Sequence, residues 1–212
     1  MKLVSKINPL LFLGLVQIPT GDLKNWIALE YKKIPGNKVS VTGNGLNITV
    51  QKSASPLIFK IEQPVLVTGF SAKVIVHGNL EPSKTDFPED SVFRLGLVLS
   101  GTKTLNGMQK LFAADWIKKL FSLAPPGQGI DHIDFYMLGR PQDSVGSSRV
   151  HPKSDLLTEK IIDITDSKKS EYIFSQNFAK SLKVVALWIS SDGDETKSSY
   201  ALTLKDFSLT TE

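Results

Sequence analysis

Val92-Phe93-Arg94-Leu95-Gly96-Leu97-Val98-Leu99-Ser100 is the stretch on which the fold of this 212-residue chain turns. Phe93, Leu95, Leu97 and Leu99 alternate strictly, and a period of two belongs to a β-strand, whose successive side chains point to opposite faces. The positions between them hold Val92, Gly96 and Val98, with Arg94 the exception. Such a strand is expected to be covered on both sides, and its one cation to need a buried partner.

The same alternation recurs on either side. Leu46, Ile48 and Val50 alternate with Asn47, Thr49 and Gln51, and Leu57, Phe59 and Ile61 follow. Phe70, Ala72, Val74 and Val76 then share one face of a longer strand in which Gly69 marks a bend or bulge. Turn chemistry at Pro35-Gly36-Asn37 and Gly43-Asn44-Gly45 separates these segments at intervals of about ten, the spacing of a β-sandwich. Further strands are expected over 130–138, 159–164 and 172–174, and residues 184–189 with 200–209 read as a closing antiparallel hairpin. Only one segment departs from this period. Met108, Leu111, Phe112, Trp116, Ile117 and Leu120 recur at three and four, which predicts a single amphipathic helix capped by Asn106 and lying across one end of the sandwich.

A hydrophobic content of 41%, a charged content of 22% and 25 basic against 21 acidic residues describe an ordinary globular chain and exclude disordered, collagenous and polytopic membrane classes. A net charge of +4, scattered along the chain, is too small to point to nucleic acid. There is no cysteine, so there is no disulfide framework and no thiolate site. Residues 1–18 open with Lys2 and Lys6 before an apolar run too short to span a bilayer as a helix. That segment reads either as a secretory signal, placing the protein in the periplasm or outside the cell, or as an early strand of a cytoplasmic protein. Residues 19–212 form one domain.

No local catalytic signature stands in the sequence: the three histidines lack zinc-site spacing, and no nucleophile elbow, P-loop or dinucleotide fingerprint occurs. No catalytic residue is therefore assigned. The turn Ser190-Ser191-Asp192-Gly193-Asp194-Glu195-Thr196 is the densest acidic spot, and Asp192, Asp194 and Thr196 are candidate ligands of a calcium ion, with a solvated turn as the plain alternative. Of the tryptophans, Trp116 falls on the helix stripe and Trp188 inside a buried run, which leaves Trp26 as the candidate platform for a sugar ring.

In order and spacing, these pieces resemble the bacterial DUF3047 family, proteins of undetermined function that usually carry an export signal. The resemblance rests on Trp26, on Ser53-Ala54-Ser55 with Leu57, on Pro64-Val65-Leu66, on Glu89-Asp90 before Arg94, and on Asp192, Asp194 and Thr196 before Tyr200-Ala201 and Asp206-Phe207. Thr68 and Phe70 stand where that family carries tryptophans, and Glu195 and Lys197 replace its Asn and Gly, so the chain resembles a divergent member. The resemblance implies a galactose-binding-like jelly roll. The expectation is then an all-β jelly-roll sandwich with one helix, acting as a non-catalytic binding module for a carbohydrate or cell-envelope ligand. Two alternatives stand beside it. One is a glycan hydrolase drawing paired carboxylates from Asp90, Asp131, Asp134, Asp192 and Asp194; the other is a structural domain for protein partners.

Overall fold

The computed structural model describes residues 14–43, 45–78, 80–81, 90–152 and 154–212. Most of the segment read as a signal or early strand, residues 1–13, lies outside them. The elements in chain order are β1 (Gly14–Gln17), β2 (Trp26–Ala28), β3 (Lys38–Thr42), β4 (Gly45–Gln51), β5 (Ala54–His77), β6 (Phe93–Gly101), α1 (Gly107–Phe112), α2 (Asp115–Phe121), β7 (Gly129–Gly139), β8 (Ser148–Val150), β9 (Leu157–Ile164), β10 (Glu171–Asp192) and β11 (Ser199–Thr211). The chain is an all-β sandwich, as the alternation predicts.

Hydrogen bonding runs continuously through the order β3-β4-β11-β5-β10-β6-β7-β9-β8, because the two long strands belong to both layers. Residues 69–75 of β5 pair with 171–177 of β10 and, on their other side, with β11, making the back layer. Residues 54–60 of β5 pair with 186–192 of β10, which in turn pairs with β6, making the front layer. The register of β5 against β10 shifts between Asn177 and Leu182, opposite Gly69, where the ladder bends from one layer to the other. A Cβ at Gly69 would stand 2.8 Å from the Gln176 carbonyl oxygen, so only glycine admits this approach.

Between the layers lies the main core. Leu46, Ile48, Phe70, Val74, Phe174, Leu202 and Leu204 of the back layer meet Phe93, Leu95, Leu97, Leu99, Tyr136 and Leu187 of the front layer. Phe93 packs edge-on against Phe174 with centroids 5.3 Å apart, and Phe70 likewise against Tyr136 at 5.3 Å. All four alternating apolar residues of β6 therefore point inward. A second cluster covers the opposite face of the front layer, where Ile58, Val98, Ile133, Phe135, Ala186 and Trp188 meet Leu120 and Leu123. The two-sided cover expected for β6 is present, and Gly96 makes room for it, since a Cβ there would stand 2.6 Å from the Phe135 ring and 2.7 Å from Ile133.

Two expectations are corrected. Residues 184–189 and 200–209 do not form a hairpin: β10 and β11 flank β5 on opposite sides, and the turn between them carries the chain from front to back layer. The single helix is two short ones. Ala113 and Ala114 are extended (ψ 145° and 151°), and they divide an apolar stripe that the sequence shows as continuous. Leu120 of α2 packs into the second cluster, whereas α1 buries no residue. Among the described residues no helix is long and apolar enough to cross a membrane.

Candidate functional site

The roof over the outer face of the front layer is incomplete. The segment 27–34 and α2 cover part of it, and beside them a cleft of about 760 Å³ remains open. Its floor is set by pairing: Trp188 of β10 lies opposite Gly96 of β6, which lies opposite Phe135 of β7. Because Gly96 has no side chain, Phe135 and Ile133 close over its backbone, and the floor is made by side chains that are themselves nearly buried. Trp116 of α2 and Tyr31 line the walls, with Ile133 and Leu157 adding apolar surface. The rim carries Lys32, Lys33, His151, Ser154, Asp194, Glu195 and Lys197.

Arg94 lies beneath one end of the cleft, and its partners answer the question its sequence position raises. Its Nη2 is 2.9 Å from Asp192 Oδ2 and its Nη1 3.4 Å from Glu159 Oε1, while Nε donates to Ser91 Oγ at 2.8 Å. Glu159 also accepts from Arg149 Nε at 2.7 Å. Burial would lower the Arg94 pKa, but Asp192 and then Glu159 outweigh it, so the guanidinium is held charged well above its ordinary value. The network is a fixed frame under the cleft wall.

The acidic turn is ordered by Asp90. Its carboxylate accepts from the Thr196 backbone N–H at 2.7 Å, the Thr196 hydroxyl at 2.6 Å and the Glu195 N–H at 3.2 Å. Lys197, at φ 61°, donates its Nζ to the Asp194 carbonyl at 2.7 Å. Of the candidate calcium ligands, Asp192 pairs with Arg94, Thr196 bonds to Asp90, and Asp194 lines the cleft. Among the described residues no group of three or more His, Asp or Glu is placed to hold a metal ion. Burial, together with the charges of Asp90 and Asp192, pushes the Asp194 carboxyl above its ordinary value. Burial and the charge of Asp192 push the Tyr31 phenol up as well, so it remains an O–H donor.

Trp26 is not a platform. It is 7% exposed, its Nε1 donates to the Pro19 carbonyl at 2.8 Å, and its ring packs on Phe59 with centroids 5.2 Å apart. Its place beside Lys24 and Asn25 suggests exposure, but the β2 pairing turns the ring inward. The aromatic residues with surface left in the cleft are the half-buried Trp116 and Tyr31; Trp188, 4% exposed, stays in the core as its apolar run predicts and closes the cleft from beneath. Of the five candidate acids, Asp90, Asp192 and Asp194 line the cleft. Asp131 and Asp134 stand apart on β7, holding His132 between them at 3.0 and 2.9 Å. Glu159 and Arg149 have no local sequence signal; only the lone cation in a two-sided strand points toward such a network.

No known protein family matches the chain, and no curated protein matches it. Among solved structures it is similar to a family 11 carbohydrate-binding module from Clostridium thermocellum in complex with a β-1,3-1,4-mixed-linked tetrasaccharide, at 7% identity over 93% of this chain and 95% of that one, with a TM-score of 0.44. It is also similar to the xyloglucanase domain of NopAA, a type three effector from Sinorhizobium fredii, in complex with cellobiose, at 9% identity over 90% of this chain and 100% of that one, with a TM-score of 0.40.

Proposed function

We propose that this chain is a non-catalytic binding module whose cleft takes a carbohydrate, such as a cell-envelope glycan. The observation that carries the reading is the composition of the cleft. Trp116 and Tyr31 offer aromatic surface above the nearly buried Trp188 and Phe135, and Lys33, His151, Asp194 and Lys197 stand around it as polar groups. A pyranose has the matching character, with C–H faces that lie against aromatic rings and hydroxyls that exchange hydrogen bonds at the rim. The volume of about 760 Å³ suits a short oligosaccharide. Arg94, Asp90 and Asp192 are already bonded within the protein and serve to fix the wall.

Affinity electrophoresis through gels containing soluble polysaccharides tests this. At least one glycan is expected to retard the protein, and Trp116→Ala is expected to weaken that retardation about tenfold, or about 1.4 kcal/mol. Failure of every polysaccharide to retard the wild type would contradict the reading. A second reading, glycan hydrolysis, is favoured by one observation, the raised carboxyl of Asp194 beside Asp192 and Asp90, the character a general acid requires. It predicts that the wild type shortens a bound oligosaccharide and Asp194→Asn does not.

A further inference from the structure

The stripe that the sequence offers as one helix face leaves its first half in water. Met108, Leu111 and Phe112 are 71%, 74% and 83% exposed. Their spacing puts all three on one side of α1. The helix holding them is well defined: the Asn106 side chain accepts from the Gln109 N–H at 2.8 Å, and the Gln109 side chain accepts from the Asn106 N–H at 2.9 Å, a complete capping box. Single exposed apolar residues are ordinary, but three together on a capped six-residue helix are a presented surface.

Basic side chains stand in the neighbouring sequence and along a pocket beside α1. Over residues 101–122 the sequence holds Lys103, Lys110, Lys118 and Lys119 against one acid, Asp115. Lys103, Lys110 and Lys118 line a pocket of about 490 Å³ beside α1, and no carboxylate lines it. Lys103 is held by Asp131, 3.3 Å from its Oδ1, and Lys118 stands 3.9 Å from Asp115, which pairs more closely with Lys32 at 3.0 Å. Lys110 and Lys119 form no ion pair among the described residues. This pocket and the aromatic cleft share no lining residue.

We propose that α1 docks the protein on an anionic bilayer surface, with Met108, Leu111 and Phe112 entering the acyl boundary and the neighbouring lysines meeting lipid phosphates. Apolar tips beside lysines are the composition that an anionic interface rewards. A glycan would leave Met108 and Leu111 facing hydroxyls. A stable protein partner needs an interface above about 1,000 Å², more than three side chains on six residues supply.

Vesicle flotation of the whole chain is the test. The protein is expected to float with phosphatidylcholine–phosphatidylglycerol vesicles, weakly with phosphatidylcholine alone, and to be released by high salt. Lys110→Gln and Lys119→Gln should each lower binding about fivefold. The triple variant Met108→Ser, Leu111→Ser, Phe112→Ser should lose binding more than about tenfold, with its melting midpoint and its behaviour toward glycans unchanged, since these side chains contribute to neither core nor cleft. Equal flotation with neutral and anionic vesicles, undiminished binding of the triple variant, or α1-dependent dimerisation without vesicle binding would each overturn the proposal.

Discussion

Arg94 is the residue on which the front layer's chemistry is organised. A lone guanidinium in a strand buried on both faces carries a large desolvation cost, and it is tolerated here because Asp192 and Glu159 stand within ion-pair distance. Removing the cation leaves two buried carboxylates without it, one of which still has Arg149. Arg94→Met keeps the volume and loses the charge. It is expected to reduce unfolding free energy by about 3–5 kcal/mol in urea titration; a loss below about 1 kcal/mol would mean that the network contributes little beyond its packing. The sequence exposes the need for a partner at this position but not the partner, because Glu159 and Asp192 reach Arg94 from strands 65 and 98 residues away in the chain. Trp26 shows the converse. Its polar neighbours suggest an exposed ring, and the backbone pairing of β2 with β5 decides against it.

At the scale of elements, β7 carries a charge cluster with its own pH dependence. The hydrogen bond to Asp134, against burial, and then the contact with Asp131 raise the His132 pKa above its ordinary 6.5. Burial works against ionisation of both aspartates, but hydrogen bonds from Lys103 and His132 to Asp131, and from His132 and Thr158 to Asp134, outweigh it and hold both below 3.8. A raised histidine gives stability that is complete below 6.5 and lost as pH rises through its folded-state value. Depressed aspartates give stability that is complete above 3.8 and lost as pH falls through theirs. Stability is therefore expected to peak between these limits, and His132→Gln should remove the alkaline decline and also soften the acid one, since His132 is a partner of both aspartates, as read by urea midpoints across pH. An unchanged alkaline limb in the variant would assign that decline to another group. The helix is the element on which sequence and structure part. Ala113-Ala114 has strong helical propensity, so nothing local marks the break. In the structure α2 packs on the front layer through Leu120, with Asp115 in its first turn bound to Lys32, while α1 buries no residue.

For the whole molecule, alternation identifies which side chains enter the core, and Phe93, Leu95, Leu97 and Leu99 do so together. It does not identify which strands are neighbours. β5 and β10 each serve both layers by bending near Gly69 and Asn177, and a period of two is unchanged by such a bend. The same topology creates the cleft: Trp188, Gly96 and Phe135 come from three strands and become one surface only when those strands pair. Trp188 is core, as the sequence marks it, and the cleft above it is unseen because no single segment spells it. The three tryptophans provide the most direct test of the account, because each indole N–H is a separate reporter in a nitrogen–proton NMR spectrum. On titration with a retarded glycan, the Trp116 and Trp188 signals are expected to shift and saturate together while Trp26, bonded to Pro19 in the core, stays in place. A ligand that moves Trp26 alone, or leaves all three unmoved, would contradict it.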